Sequence, residues 1–223
     1  GQHMPDNKSF GLKASYNFSF PSFVANSSAT VLNSTTNASF GAGFYFRYDI
    51  NDHVSFQPEL LFSSRSGSVR SETITETSSS IAITRTSVSN LSQVTAELPL
   101  YLKMRWELTA LHKGHYKANK AIGVVVGPRI LFNMVSKKET FSSEITRLYN
   151  QESAVYNDVD RSGASDYFSP VTAGINIGVD FEALDRLVLF ANFYRGFISM
   201  NKDEQGFRSF DNRFEVGAGI RLY

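Results

Sequence analysis

The chain has 223 residues with 22 Lys and Arg against 21 Asp and Glu, a net charge of +1 that gives no bulk attraction for nucleic acid. Cysteine is absent, which excludes disulfides, thiolate metal sites and cysteine nucleophiles. Mean hydropathy is −0.20, and no apolar run reaches the ~18 residues of a membrane-crossing helix, a test blind to spanning strands because their alternation averages away in a window.

Residues 1–8 read as a tag remnant (Gly1-Gln2-His3-Met4) and an N-terminal tail, so an export signal is expected to have been removed. A strict alternation then begins. Phe10, Leu12, Ala14, Tyr16, Phe18 and Phe20 alternate with Gly11, Lys13, Ser15, Asn17 and Ser19, which predicts a first strand over 9–20 with one apolar and one polar face. The second strand, 38–50, carries Phe40 to Ile50 on its apolar parity. The short turn Asn51-Asp52-His53 leads into a third, from Val54 to Ser63. A fourth follows with Val94, Ala96, Leu98, Leu100, Leu102, Met104 and Trp106 apolar, and a fifth with Ile122 to Phe132. The sixth runs from Val171 to Phe181, the seventh from Leu187 to Tyr194, and the eighth from Phe214 to Leu222.

The connections after strands one, three, five and seven are long and polar: 21–37, 64–93, 136–166 and 198–212. Those after strands two, four and six are shorter: 51–53, about 109–120 and about 182–186. Long and short alternate, so an up-and-down barrel would put all long loops at one end, as outer-membrane barrels do. Within 64–93, the β-prone stretches Thr73–Thr77 and Ile81–Val88 flank Ser78-Ser79-Ser80. They predict a polar hairpin continuing strands three and four, with a disordered Ser/Thr-rich loop as the alternative.

Aromatic residues mark both ends of the apolar parity. Phe10, Tyr48, Phe56, Trp106, Phe181 and Tyr223 fall at the short-turn end. Phe20, Phe40, Phe62, Phe132, Tyr167, Phe197 and Phe214 fall at the long-loop end. Two such belts match the two interfaces of a bilayer. The sequence thus reads as all-β: one domain over 9–223, an eight-stranded antiparallel up-and-down transmembrane β-barrel with long extracellular loops.

The polar parity carries glycines beside long charges. Arg47, Glu59, Glu97, Lys103, Arg105, Arg129 and Glu215 are expected to form a paired charge network filling the lumen. The competing reading is a lipocalin-like soluble barrel with this face in bulk water. Pro128, central in the fifth strand, lacks a ladder donor and is accommodated in this reading by a bulge.

Several stretches resemble one family: Phe44-to-Phe62, Ala96-Glu97-Leu98-Pro99-Leu100-Tyr101-Leu102-Lys103, Gly123-to-Gly127, and the ending Val216-to-Tyr223. The chain resembles the eight-stranded outer-membrane barrels of Bacteroidetes-type bacteria, called porin-family or PorT-like. The resemblance implies an outer-membrane location in a Gram-negative envelope and allows a secretion-machinery role. The terminal aromatic Tyr223 fits the barrel-assembly signal of such proteins. The apolar parity of the last strand, on Ile220 and Leu222, stands one residue off the commoner pattern.

No catalytic constellation is visible. His53, His112 and His115 all fall in short turns, away from the outer rim where a barrel hydrolase would need its base. His112 and His115 have metal-ligand spacing without a nearby third ligand, and no phosphate loop or dinucleotide fingerprint is present. No enzyme, cofactor or metal is therefore expected. The expected partners are outer-membrane lipid and lipopolysaccharide, the latter facing Lys137 and Lys138, and an envelope or periplasmic protein, for which the basic turn 111–120 is a candidate surface. The expected role is structural or interactive, through the outer loops. A narrow pore or small-solute transporter and a secretion-machine subunit are the alternatives.

Overall fold

A computed structural model describes residues 8–25, 30–34, 37–78, 81–108, 120–148, 151–163, 168–183, 186–200 and 207–222. Twelve strands follow in chain order: β1 (Lys8–Ser19), β2 (Ser22–Ala25), β3 (Thr30–Ser34), β4 (Asn37–Asp49), β5 (Val54–Ser78), β6 (Ile81–Leu108), β7 (Lys120–Leu148), β8 (Gln151–Gly163), β9 (Val171–Ala183), β10 (Leu187–Gly196), β11 (Phe207–Phe210) and β12 (Asn212–Arg221). Eight of them form a closed antiparallel ring in the order β5-β4-β1-β12-β10-β9-β7-β6, with β6 pairing back onto β5. Closure satisfies the backbone of every ring strand from its neighbours, which a bilayer demands.

The ring's geometry follows from its register. From Lys103, successive cross-strand partners are Val125, Gly178, Asn192, Glu215, Asn17, Ser39, Arg65 and finally Gln93, back on β6. One circuit thus returns ten residues from its start. A stagger of ten over eight strands tilts them by about 40° at a backbone radius of about 8 Å. That interior is only wide enough for side chains.

The burial pattern is the reverse of a soluble core. Outward residues such as Phe44, Leu102 and Ile177 are exposed, while the inward Asn17, Glu97, Arg129 and Asn176 are almost fully buried. The aromatics assigned to belts, Phe10, Tyr48, Phe56, Trp106 and Phe181 at one end and Phe20, Phe40, Phe62, Phe132 and Phe214 at the other, all lie on the outward parity. Tyr167 and Tyr223 fall outside the described residues. Phe10 stacks on Phe44 at 5.9 Å, and Tyr16 meets Phe18 and Phe40 edge-on at 4.8 and 4.9 Å. Leu102→Arg, on the outward face between the belts, is expected to cost about 2–4 kcal/mol, and Asn90→Arg beyond the belt close to nothing. Urea titrations in lipid vesicles would show this; equal midpoints would contradict the placement of the apolar wall.

The long connections are largely strand. β5 and β6 stay paired as far as Ser78↔Ile81, which favours the hairpin reading of 64–93. Residues 136–166, read above as loop, instead extend β7 to Leu148 and return as β8, paired to β7 from Lys137↔Gly163 to Leu148↔Gln151. Within 21–37, β3 pairs the β5 extension and β2 pairs β11. The physical reason is the medium: beyond the belts both faces meet water, so the two-residue contrast that reveals a spanning strand disappears.

Pro128 sits at no bulge. Pairing is Pro99↔Arg129 before it and Leu102↔Val126 after it, in unchanged register, and the irregularity in this seam lies at Val94/Thr95. The Pro128 ring faces outward, and the Gly127 α-carbon lies against the Leu100 carbonyl oxygen. A Cα–H contact there partly replaces the donor that proline lacks.

Candidate functional site: a charge-filled lumen

Inward side chains alternate along every ring strand, so charged residues from seven of the eight strands, all but β10, converge on one axis. They sort into three tiers. At the long-connection end, Glu97 receives Arg129 Nε at 2.8 Å, Arg213 Nη1 at 2.9 Å and Arg65 Nη2 at 3.3 Å. The hydroxyls of Ser63 and Thr95 also donate to it. Arg129 Nη1 reaches Glu215 at 2.5 Å, and Asp211 accepts Arg65 and Arg213, each at 2.8 Å. Three guanidiniums face three carboxylates, and the Tyr194 ring lies 5.8 and 5.5 Å from Arg129 and Arg213.

The middle tier is one pair. Lys13 Nζ contacts both oxygens of Glu59, at 2.7 and 2.9 Å, and sits 4.0 Å from the Phe190 ring centre. Gln57 donates to the same carboxylate at 2.7 Å.

At the short-turn end, Glu182 gathers four cations: Arg47 and Lys103 at 2.7 Å, Arg221 at 2.8 Å and Arg105 at 3.3 Å. Lys103 also reaches Asp180 at 2.8 Å, and Arg47 reaches Asp49 at 3.0 Å. Each tier is close to internally neutral, the condition under which buried charge is tolerated.

Glycines let these side chains fit. Gly11 lies opposite Tyr45, Gly217 opposite Phe190, Gly178 opposite Asn192 and Gly123 opposite Asp180. A Cβ on any of the four would strike the side chain opposite it. Tyr45, Phe190, Asn192 and Asp180 therefore each lie over a glycine on the next strand. The room left beside Tyr101 and Asn192 is that of a single water molecule, too small for a solute. Toward the long-connection end, Ser169 N–H donates to the Met200 carbonyl and Met200 N–H to the Ser209 carbonyl, both at 2.7 Å, and Phe168 is buried.

The seven residues expected in the lumen all point into it, divided among the three tiers rather than joined in one network. Glu97, Arg129 and Glu215 join at one end; Arg47, Lys103 and Arg105 join at the other; Glu59 stands between them with Lys13. Of the further members, Lys13, Asp49, Asp180 and Arg221 lay within the strand bounds drawn from sequence, while Arg65, Glu182, Asp211 and Arg213 lay outside them. Their signal was present, since Arg213 shares the parity of Glu215 and Glu182 that of Asp180. Among the described residues no group of three metal-ligating side chains occurs. His112, His115 and the rest of the basic turn before Lys120 lie outside the described residues.

Comparison with known proteins agrees with this architecture. Residues 2–202 match the family described as outer membrane protein beta-barrel domain. No curated protein matches. Among solved structures, OprG of Pseudomonas aeruginosa is similar at 10% identity and a TM-score of 0.41, covering 97% of this chain and 96% of that one. Ail of Yersinia pestis is similar at 11% identity and 0.35, covering 96% and 98%, and the neisserial surface protein NspA at 12% and 0.35, covering 95% of each. A family match across nine-tenths of the sequence, on a closed eight-stranded ring with an apolar exterior, settles the class: the chain belongs to the outer-membrane β-barrel domain family.

Proposed function

We propose that this protein is a sealed, non-enzymatic membrane anchor that acts through the polar sheet at its long-connection end, which faces the cell exterior. The observation that carries this reading is the lumen itself. Arg129, Arg213, Glu97 and Glu215 are each no more than 1% exposed and interlock across the barrel axis. A hydrated ion crossing would have to break several buried charge pairs at once. Beyond the belts, β3, β5, β6, β7 and β8 pair side by side into a projecting sheet. Its strands are joined by hydroxyl contacts such as Ser87–Ser142 at 3.1 Å and Ser89–Thr140 at 3.0 Å. Lipopolysaccharide and an envelope protein are the partners this reading assigns.

In planar bilayers the protein is expected to give no stable single-channel steps, and liposomes carrying it should not swell in small sugars. Large, reproducible steps would overturn the sealed reading in favour of a narrow transport pore. The PorT-like alternative, a secretion-machinery subunit, predicts recovery of envelope partners after gentle extraction.

A further inference from the structure

The outward parity of the eight ring strands is apolar or small and uncharged from one belt to the other, with one exception. Arg195, on β10, points outward and is exposed. Lys8 and Lys120 stand at the short-turn ends of their strands, and Lys137 lies past Phe132 in the β7 extension, so none of these shares its position. Arg195 pairs across to Ile175 on one side and Asn212 on the other, one step beyond the Phe193↔Phe214 pair. Phe197 is the next outward residue along the chain and is 62% exposed. No ion pair involves Arg195 among the described residues.

A guanidinium on the lipid face is costly at the midplane and tolerated near an interface, where its stem lies along apolar surface and its head reaches polar groups. An ionisable residue in such a setting calls for a partner. The partner has to be anionic and has to sit at the depth of the aromatic belt at the long-connection end. Among the described residues no side chain supplies it, and bulk water does not explain why one guanidinium stands among phenylalanines.

We infer that Arg195, framed by Phe197 and Phe214, is a docking site for the phosphate of an outer-leaflet glycolipid. Guanidinium matches a phosphate through two parallel hydrogen bonds, and the rings on either side suit the lipid's upper acyl and sugar region. The inference rests on the outward orientation proposed above.

The test compares wild type, Arg195→Gln, Arg195→Lys and, as control, Lys8→Gln at the short-turn end, each first checked for the same heat-modifiable gel mobility. Binding to bisphosphorylated lipid A in mixed micelles is measured by native mass spectrometry, with fully dephosphorylated lipid A as the second arm. Arg195→Gln is expected to bind the phosphorylated lipid about fivefold more weakly than wild type. Arg195→Lys should fall between them, Lys8→Gln should match wild type, and the dephosphorylated lipid should not distinguish any of the four. Equal binding of wild type and Arg195→Gln would overturn the site, as would a defect that persists with the dephosphorylated lipid. Orientation is read separately, by labelling Asn90→Cys on intact cells with a membrane-impermeant reagent. Labelling there with no lipid effect would sink the site alone, and failure to label would sink the orientation.

Discussion

Replacing Glu97 with alanine is expected to destabilise the barrel by about 3–5 kcal/mol, because it strands buried guanidiniums without their shared carboxylate. Glu97 is the hub of the tier at the long-connection end, contacted by Arg65, Arg129 and Arg213. Arg65 and Arg213 keep Asp211 and Arg129 keeps Glu215, so the loss is partial for each and summed over all three. Glu97→Gln keeps an acceptor and should cost less. Glu97→Leu combined with Arg213→Leu should recover part of the loss, since an apolar pair avoids the unpaired charge. Urea unfolding in lipid vesicles measures all of these. A Glu97→Ala midpoint equal to wild type would show that the tier does not hold the barrel together.

The second large effect is steric. Gly127→Val should cost about 3 kcal/mol or more, at or beyond the upper end of overpacking penalties. A Cβ there meets the Leu100 carbonyl oxygen and the Leu100 and Tyr101 backbone, none of which can rotate away. Gly41→Ala is the contrasting case. Its Cβ would meet the Ser15 hydroxyl at 2.8 Å and the Asn17 amide at 3.5 Å, both side-chain atoms able to shift. That variant should stay within about 1.5 kcal/mol of wild type. The same denaturation series reads both, and equal losses would contradict the close approach of β7 to β6.

The spanning strands were legible because two media meet at each of them. A strand with lipid on one side and a packed polar lumen on the other must alternate, and Phe10 to Phe20 does so without a break. The lumen charges were legible for the same reason: Arg129 and Glu215 stand on the parity opposite the apolar one. What sequence did not reveal was partnership. Nothing in the spacing of Glu182 says that cations from β4, β6 and β12 meet on it, because that depends on the ten-residue stagger of the closed ring. Arg213 and Glu182 were missed because the apolar pattern thins at strand ends before the strand itself stops. The extension of β7 and its return as β8 were hidden because Lys137 to Leu148 has water on both faces and no contrast to display. Arg195 falls one residue past the seventh strand as drawn from sequence, which stops at Tyr194. It becomes conspicuous only when all eight outward faces are set beside one another.

The central claim is that the apolar parity faces lipid and the polar parity faces a closed, filled interior. The absence of native cysteine makes single-cysteine labelling its most direct test. Ser39→Cys and Ser63→Cys are near-isosteric and sit at inward positions only 3% exposed. Ala14→Cys and Ala42→Cys sit on the outward parity of the neighbouring strands β1 and β4. In proteoliposomes, the two inward variants should resist small water-soluble thiol reagents added to both sides, and the two outward ones should react with a lipid-dissolved maleimide. Rapid aqueous labelling at Ser63→Cys would reveal an open lumen and contradict this account of the protein.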